Sequence, residues 1–115
     1  MTPALQWACI EAVLDPTLGS EQQGRRPVLV VSNEPFNQAM PSVTVIPLTS
    51  VARDLYPAEV FLPEGIAGQP LASIAMAHQI RTITKERLVR PLGYLDDPEL
   101  RSAVANALRE HLDLT

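Results

Sequence analysis

The chain has 115 residues, of which 46% are hydrophobic and 19% are charged, and its formal net charge is -4. These proportions are typical of a globular protein and exclude a disordered chain, while the length predicts one domain spanning residues 1–115. The longest apolar run, residues 27–31, is too short to cross a bilayer, and the N-terminus lacks the basic and apolar regions of a signal peptide. We therefore expect a cytoplasmic protein without membrane contact.

The net charge argues against a broad basic surface for nucleic acid, but the basic residues are unevenly distributed. Seven of the nine fall between positions 25 and 90, namely Arg25, Arg26, Arg53, Arg81, Lys85, Arg87 and Arg90. A polyanion is therefore expected to contact the middle of the chain.

The single cysteine, Cys9, has no partner for an internal disulfide, and with only two histidines beside it a zinc cage is excluded. No metal site is predicted. Because Cys9 lies in an apolar stretch, we expect a buried small hydrophobic residue rather than a catalytic thiol.

The first part of the chain is predicted to form strands joined by turns. Residues 6–14 are mostly apolar and predict a buried strand that Glu11 interrupts. Residues 15–26 combine Asp-Pro and glycines without periodicity, which predicts a long exposed loop, and loops of that length are usually functional or disordered. Residues 27–33 predict a central strand, followed by a turn or short helix over 34–40.

Residues 42–50 form the next predicted strand, but Pro47 has no N–H to donate and is expected to end or bulge it. Thr49 and Ser50 would then be two hydroxyls at a strand end. Residues 58–62 predict a further short strand, which a loop rich in glycine and proline follows.

Alternating side chains over residues 71–83 predict one longer strand, on which Gln79 and Arg81 share a face. His78 alternates with apolar neighbours on this strand. We therefore expect it to be a partly buried, hydrogen-bonded histidine rather than a catalytic group.

The last part of the chain carries the clearest local signals. Thr84 is placed to cap a short helical turn before a strand over 89–95. Asp97 as an N-cap and Pro98 at the first helical position begin an amphipathic helix over 98–112. Its apolar stripe consists of Leu100, Val104, Leu108 and Leu112. Several short strands and one terminal helix predict a mainly β (α+β) fold, a small SH3-like barrel with the helix packed against it.

Most common enzyme classes are excluded, because the sequence lacks their catalytic patterns. The sequence has no histidine pair at a useful spacing, no carboxylate cluster for metals, no Gly-rich phosphate loop and no nucleophile elbow. It does have arginines and hydroxyl side chains. A guanidinium matches phosphate oxygens, a threonine hydroxyl adds a donor, and RNA supplies its own 2′-OH nucleophile. An enzyme acting on RNA then needs only to orient the strand, stabilise charge and move two protons.

Several short segments carry a resemblance to one family. They are Gly19-Ser20-Glu21-Gln22, Arg25-Arg26-Pro27 with the apolar run after it, Pro47-Leu48-Thr49-Ser50, and Gln79-Ile80-Arg81-Thr82-Ile83 with Arg87-Leu88. In order and spacing they resemble the MazF/PemK family of toxin endoribonucleases, over roughly positions 13 to 95.

The resemblance implies a barrel of five to seven strands, a homodimer, and single-stranded RNA lying along the dimer interface. It implies an mRNA interferase that cuts at specific sequences without metal or cofactor and leaves a 2′,3′-cyclic phosphate and a 5′-hydroxyl. It also implies a cognate antitoxin that inhibits the toxin through a tail that is often acidic.

The resemblance also gives the matching residues their roles. Arg26, which directly precedes the proline, matches the family's catalytic arginine, and Thr49 matches its catalytic threonine. RNA-contacting positions are matched by Ser20, Glu21, Gln22, Arg25, Ser50, Gln79 and Arg81. Arg25 is the second candidate for the catalytic arginine. Because a guanidinium stays protonated at ordinary pH, Arg26 is assigned charge stabilisation and proton donation, and no general base is assigned.

The sequence departs from the family at two places. Residues 7–12 do not reproduce the Gly-acid-Ile-Trp type of first strand, and His78 occupies a position where the family often has an acid. Two alternatives therefore stay open: a non-enzymatic toxin on the same barrel that binds a protein such as DNA gyrase, and an inactive homologue that binds antitoxin. The presence of both Arg26 and Thr49 favours the nuclease. Without the resemblance, the same residues would be a solvated loop end and a plain strand exit.

Overall fold

The computed structural model describes residues 3–14 and 24–115, and within them the chain forms seven strands and two α-helices. The strands are β1 (Ala8–Leu14), β2 (Gly24–Val30), β3 (Ser42–Thr49), β4 (Glu59–Leu62), β5 (Ser73–Met76), β6 (Arg81–Thr84) and β7 (Leu88–Tyr94). The helices are α1 (Glu34–Ala39) and α2 (Pro98–Leu112), and short 3₁₀ turns lie at Ile66–Gly68, Ala77–Gln79 and Lys85–Arg87. The predicted mainly β fold of five to seven strands with a C-terminal helix is confirmed.

The strands pair antiparallel in the order β4-β5-β3-β2-β1-β7, and β6 pairs with the first half of β3. β3 is therefore shared between two sheets. One buried cluster packs under α2 and includes Cys9, Leu29, Ile46, Leu62, Val104 and Ala107. A second cluster includes Ile10, Val28, Val30, Val43, Val45 and Ile83. No helix in the described part of the chain is long and apolar enough to span a membrane.

Pro47 does not end β3, so the prediction from its missing N–H is wrong. The strand continues through it to Thr49, with Pro47 buried opposite Val28 of β2. Positions 42–45 of β3 pair with β6, whereas positions 48–49 pair with β5. Pro47 lies between these two ladders, where β3 has neither neighbour on that side. A residue without an N–H is tolerated at such an interruption.

The single long strand predicted over residues 71–83 is also wrong. The structure has β5, then the 3₁₀ turn Ala77–Gln79, then β6. β5 pairs with β4 and the end of β3, while β6 pairs with the beginning of β3, so the turn carries the chain between the two sheets. The shared face predicted for Gln79 and Arg81 depended on unbroken alternation, which this turn interrupts.

The loop predicted over residues 15–26 falls mostly outside the described residues, which resume at Gly24. There the chain is already a strand, because Gly24, Arg25 and Arg26 pair with the end of β1. The predicted strand start at residue 27 is therefore too late. The pairing partner decides the conformation here, whereas the local glycine and proline indicated a loop.

The other predicted elements are confirmed. The structure has strands within 6–14 and 58–62, a strand that begins and ends one residue before the predicted 89–95, a short helix within 34–40, and α2 over the predicted residues. Asp97 caps α2 by accepting hydrogen bonds from the backbone N–H groups of Glu99 at 2.8 Å and Leu100 at 3.2 Å. Thr84 precedes the Lys85–Arg87 turn, but its side chain makes no capping hydrogen bond.

Two glycines allow a loop and a strand to pack backbone against backbone. Gly68 has φ +73°, and a Cβ there would lie 2.0 Å from the carbonyl oxygen of Leu92 in β7. A Cβ on Gly93 would lie 2.8 Å from the nitrogen of Gly68. Neither position accepts a side chain without moving the backbone. The contact fixes the Ile66–Gly68 turn and hence the position of Gln69, which follows it.

The segment before β1 is held by one carboxylate. Glu34, at the start of α1, accepts hydrogen bonds from the backbone N–H groups of Leu5 at 3.0 Å and Gln6 at 2.8 Å. The side-chain amides of Asn37 and Gln38 donate to it as well. Together these hydrogen bonds outweigh the effect of burial and lower the pKa of Glu34 to about 2.

Replacing this carboxylate should therefore destabilise the protein in a pH-dependent way. We expect Glu34→Gln to lower the free energy of unfolding by about 2 kcal/mol at pH 7, the range for hydrogen bonds to a charged group. Because the folded-state pKa is depressed, this stabilisation is present above the ordinary glutamate pKa and is lost as the pH falls toward about 2. Urea unfolding of the two proteins between pH 7 and pH 3 measures the difference. A constant gap across that range would contradict the assignment, and the exposed Glu64→Gln is the control.

Candidate functional site

A cavity of about 220 Å³ lies between the beginning of β2, the end of β3 and the start of β5. It is lined by Arg25, Arg26, Pro27, Leu48, Thr49, Ser50, Gln69 and Ser73. We call it the phosphate cavity, because guanidinium and hydroxyl groups are side chains that match phosphate oxygens. Four residues that the sequence singled out, two arginines and two hydroxyl residues, therefore share one concave surface.

The register of β2 against β3 explains why Arg26 and Thr49 line the same cavity. Val28 of β2 lies opposite Pro47 of β3. Continuing that antiparallel register by two residues puts Arg26 opposite Thr49. Consistent with this, Nη1 of Arg26 donates to the carbonyl oxygen of Leu48 at 3.5 Å. Thr49 ends β3 and Ser50 follows it, so these two hydroxyls lie at the end of a strand, as predicted.

The guanidinium of Arg26 is partly buried and poorly satisfied by the protein. Its long bond to Leu48 is its one hydrogen bond in the described part of the chain, and its Nε is buried without a partner there. Burial lowers the pKa of Arg26 below its usual value. A buried donor without a partner costs about 1–3 kcal/mol. An anion that accepts hydrogen bonds from this guanidinium would recover part of that cost.

Thr49 is buried, with 7% of its surface exposed, and its hydroxyl has a defined orientation. Oγ1 accepts a hydrogen bond from the backbone N–H of Val51 at 3.3 Å. Because that contact uses the oxygen as an acceptor, the hydroxyl hydrogen remains available to donate into the phosphate cavity.

Arg25 is the more exposed of the two arginines. Its side chain is 64% exposed, and Nη1 lies 3.7 Å from Oε1 of Glu11. The same carboxylate oxygen lies 3.4 Å from Nε of Arg90. Exposed ion pairs contribute about 0–1 kcal/mol, so Arg25 can leave Glu11 for a stronger anion at little cost.

Two of the remaining predicted site residues, Gln79 and Arg81, lie on other elements. Gln79 lies in the Ala77–Gln79 turn, and Arg81 begins β6 opposite Val45. Neither lines the phosphate cavity. The predicted RNA-contacting Ser20, Glu21 and Gln22 lie outside the described residues.

Two residues that line the cavity were missed by the sequence analysis. Gln69 lies after the Ile66–Gly68 turn, and its Nε2 is 3.5 Å from Sγ of Cys9. Ser73 begins β5, and its Oγ donates to the carbonyl oxygen of Leu71 at 3.3 Å. Both reach the cavity through strand pairing and the glycine contact, which no local sequence signal indicates.

A buried carboxylate fixes the segment that follows Thr49. Glu59 of β4 accepts hydrogen bonds from both terminal nitrogens of Arg53, at 2.7 and 2.8 Å, and from the backbone N–H of Tyr56 at 2.7 Å. His78 Nε2 donates to it at 2.8 Å. These contacts, led by the Arg53 guanidinium, lower the pKa of Glu59 to about 2 despite its burial. Residues 50–57 are thereby tied to β4.

Two predictions on individual residues are confirmed. His78 is partly buried and hydrogen-bonded, although it lies in a 3₁₀ turn rather than a strand. Cys9 is fully buried, and burial raises the pKa of its thiol to about 12. Within the described ranges, 3–14 and 24–115, no three His, Cys, Asp or Glu side chains group as metal ligands.

The family described as "PemK-like, MazF-like toxin of type II toxin-antitoxin system" matches residues 6–112. The chain belongs to this family. A curated relative, "Endoribonuclease MazF9" of Mycobacterium tuberculosis, is 41% identical over 106 residues, which are 88% of this chain and 89% of the relative.

Solved structures of the family share the fold of this MazF-like chain. The crystal structure of MazF from Deinococcus radiodurans superposes with a TM-score of 0.81 at 26% identity over 99% of both chains. An endoribonuclease in complex with its cognate antitoxin, from Mycobacterial species, superposes with a TM-score of 0.77 at 27% identity over 99% of this chain and 98% of that one. The family match extends beyond the resemblance seen in the sequence and includes β1 and α2.

The hydrogen bonds of Glu59 with Arg53 and Tyr56 should hold residues 50–57 in place. We expect Glu59→Gln to weaken the bidentate contact with Arg53 and to lower the free energy of unfolding by about 2 kcal/mol. Hydrogen exchange at residues 50–57 should speed up more than exchange in α2, and limited proteolysis should cut that segment first. Asp54→Asn, in the same exposed segment, is the control. Uniform acceleration over all strands would show that Glu59 stabilises the fold without fixing this segment.

Proposed function

We propose that this MazF-like chain is an endoribonuclease that cuts single-stranded mRNA at specific sequences, and that it acts without a metal or cofactor as the toxin of a toxin–antitoxin pair. The observation that carries the proposal is that Arg26 and Thr49 line one cavity, where the guanidinium has unused donors. The relative MazF9, named an endoribonuclease, supports the reaction class.

The geometry supports a division of work between these two side chains. Arg26 binds the scissile phosphate, and Thr49 donates to an oxygen of the pentavalent phosphorus. The substrate's 2′-OH loses its proton to a base, and its oxygen attacks the phosphorus. The bond from phosphorus to the 5′ oxygen breaks as that oxygen takes a proton from Arg26, which leaves a 2′,3′-cyclic phosphate and a 5′-hydroxyl. The lowered pKa of Arg26 favours this proton donation.

The proposal includes two protein partners and a location. The antitoxin complex of the mycobacterial endoribonuclease supports a cognate antitoxin for this chain. An acidic tail on such an antitoxin would be attracted by Arg25 and Arg26, because both line the open phosphate cavity. We further propose a homodimer acting in the cytoplasm, where mRNA is available. Light scattering of the purified protein measures its mass and so checks the dimer.

The decisive experiment is to map the ends left on a long transcript in EDTA. Wild-type protein should produce discrete fragments with cyclic phosphate ends, and Arg26→Ala should reduce the cleavage rate by about 10³-fold or more, because charge stabilisation and proton donation are both lost. Its circular dichroism and thermal melt should stay close to wild type. Arg109→Ala, an exposed arginine of α2, is the matched control and should cut normally. An intact transcript with wild-type protein would instead favour a toxin that binds a protein target.

Thr49 should contribute to the cleavage rate through its hydroxyl alone. Thr49→Val keeps the shape of the side chain but removes the donor, so we expect single-turnover cleavage to fall about 10²-fold. Thr49→Ser restores the hydroxyl and should recover to within about tenfold of wild type. Equal rates for the valine and serine variants would show that position 49 supports packing and takes no part in the chemistry.

A further inference from the structure

A second cavity adjoins the phosphate cavity. Its volume is about 190 Å³, and it is lined by Ser50, Val51, Ala52, Arg53, Phe61, Ala72, Ser73 and Ile74. We call it the base cavity. Ser50 and Ser73 line both cavities, so the two cavities are direct neighbours.

Strand register gives the distance between the two cavities. In β5, Ile74 lies opposite Thr49 of β3 on one side and opposite Phe61 of β4 on the other. The three residues form one row across three strands, and directly opposed side chains point to the same face of a sheet. Two strand spacings separate Thr49 from Phe61 by roughly 10 Å. This is within reach of the base of a nucleotide next to a phosphate bound at Thr49.

The base cavity offers an aromatic surface beside its apolar and polar lining residues. Phe61 lies on the edge strand β4, and 51% of its surface is exposed. Ile74 is buried at the floor of the cavity. Exposed aromatic side chains beside a bound nucleic-acid strand are the usual stacking platforms for unpaired bases.

The polar groups of the base cavity can read the edge of a base. Ser73 uses its hydroxyl hydrogen on the carbonyl of Leu71, so its oxygen remains an acceptor. The hydroxyl of Ser50 has no hydrogen-bond partner in the described part of the chain. Arg53 is held by Glu59 and by a ring contact with Tyr56 at 4.0 Å, so this wall is rigid before any ligand arrives.

We propose that the base cavity binds the nucleobase that flanks the scissile phosphate in the RNA strand, with Phe61 stacking on the base and Ser50 and Ser73 contacting its edge. This makes Phe61 a specificity-determining residue. The inference rests on the proposed endoribonuclease function and extends it to a second part of the substrate.

The first test compares cleavage of one long transcript by wild type and by variants of Phe61. Phe61→Ala should lower single-turnover cleavage by about 5- to 150-fold, the effect of losing one stacked base, and should relax the base preference at one position beside the cut. Phe61→Tyr keeps the ring and should retain both rate and preference. Phe61→Leu keeps apolar bulk without the ring and should behave like the alanine variant, which guards against an effect of lost packing.

A control comes from an exposed hydrophobic residue elsewhere. Met40 is 47% exposed and precedes the end of β3 that lies farthest from Thr49. Met40→Ala should leave both the cleavage rate and the cut sites unchanged. Thermal melts of all four variants verify that each is folded at the assay temperature.

The second test locates the base that Phe61 contacts. Short RNAs containing the mapped wild-type site are made with an abasic nucleotide at each position flanking the cut. At one position the loss of the base should slow wild type as much as Phe61→Ala does, and should slow Phe61→Ala no further. Additive effects at every position, or unchanged cut sites and rates in Phe61→Ala, would overturn the inference while leaving the nuclease function intact. A wild-type protein that cuts no transcript would refute the proposed function and this inference together.

Discussion

The desolvated guanidinium at the beginning of β2 is the constraint on which the site depends. β2 pairs with β1 through Arg26 itself, and its continuation pairs with β3. The backbone at position 26 is therefore fixed by a neighbouring strand, and the side chain is directed to the end of β3. Nε is buried without a partner in the described residues, and an unpaired buried donor costs free energy. An oxyanion that accepts a hydrogen bond from it would recover part of this cost. A solvated arginine on a loop already donates to water, so an oxyanion that binds it would not satisfy an unpaired donor.

β3 connects this guanidinium to the rest of the site because its neighbours change along its length. Its first half pairs with β6, positions 45–47 pair with β2, and its last residues pair with β5. At that point one strand end faces two cavities, with Thr49 on the first and Ser50 on both. The chain then enters residues 50–57, which Glu59 holds through Arg53 and Tyr56. The positions of the Thr49 and Ser50 hydroxyls thus depend on the change of pairing strands along β3 before them. They also depend on the buried ion pair between Arg53 and Glu59 after them.

Local signals in the sequence predicted the elements they determine, and tertiary pairing determined the rest. Asp97 and Pro98 specify the start of α2, because capping and a fixed φ act within one turn. Pro47 misled because its missing N–H matters only where a neighbouring strand needs it. The turn at Ala77–Gln79 has no local signal, since it exists to move the chain from one sheet to the other. Gln69 and Ser73 reach the phosphate cavity by the same kind of long-range pairing, whereas Arg26 and Thr49 could be found by their resemblance to a family.

Under the proposed function, the charge distribution bears on how an acidic chain would select its RNA. With a net charge of -4, the protein gains little from non-specific attraction to a polyanion. Arg53 is bound to Glu59, while Arg25 and Arg90 share Glu11 in exposed ion pairs. In that function, the strand would therefore be held in part through its bases, and contacts to bases carry sequence information that phosphate contacts lack. Under the proposed function, a cleft with one poorly satisfied guanidinium and an adjoining aromatic cavity would favour cleavage at particular sequences over general degradation.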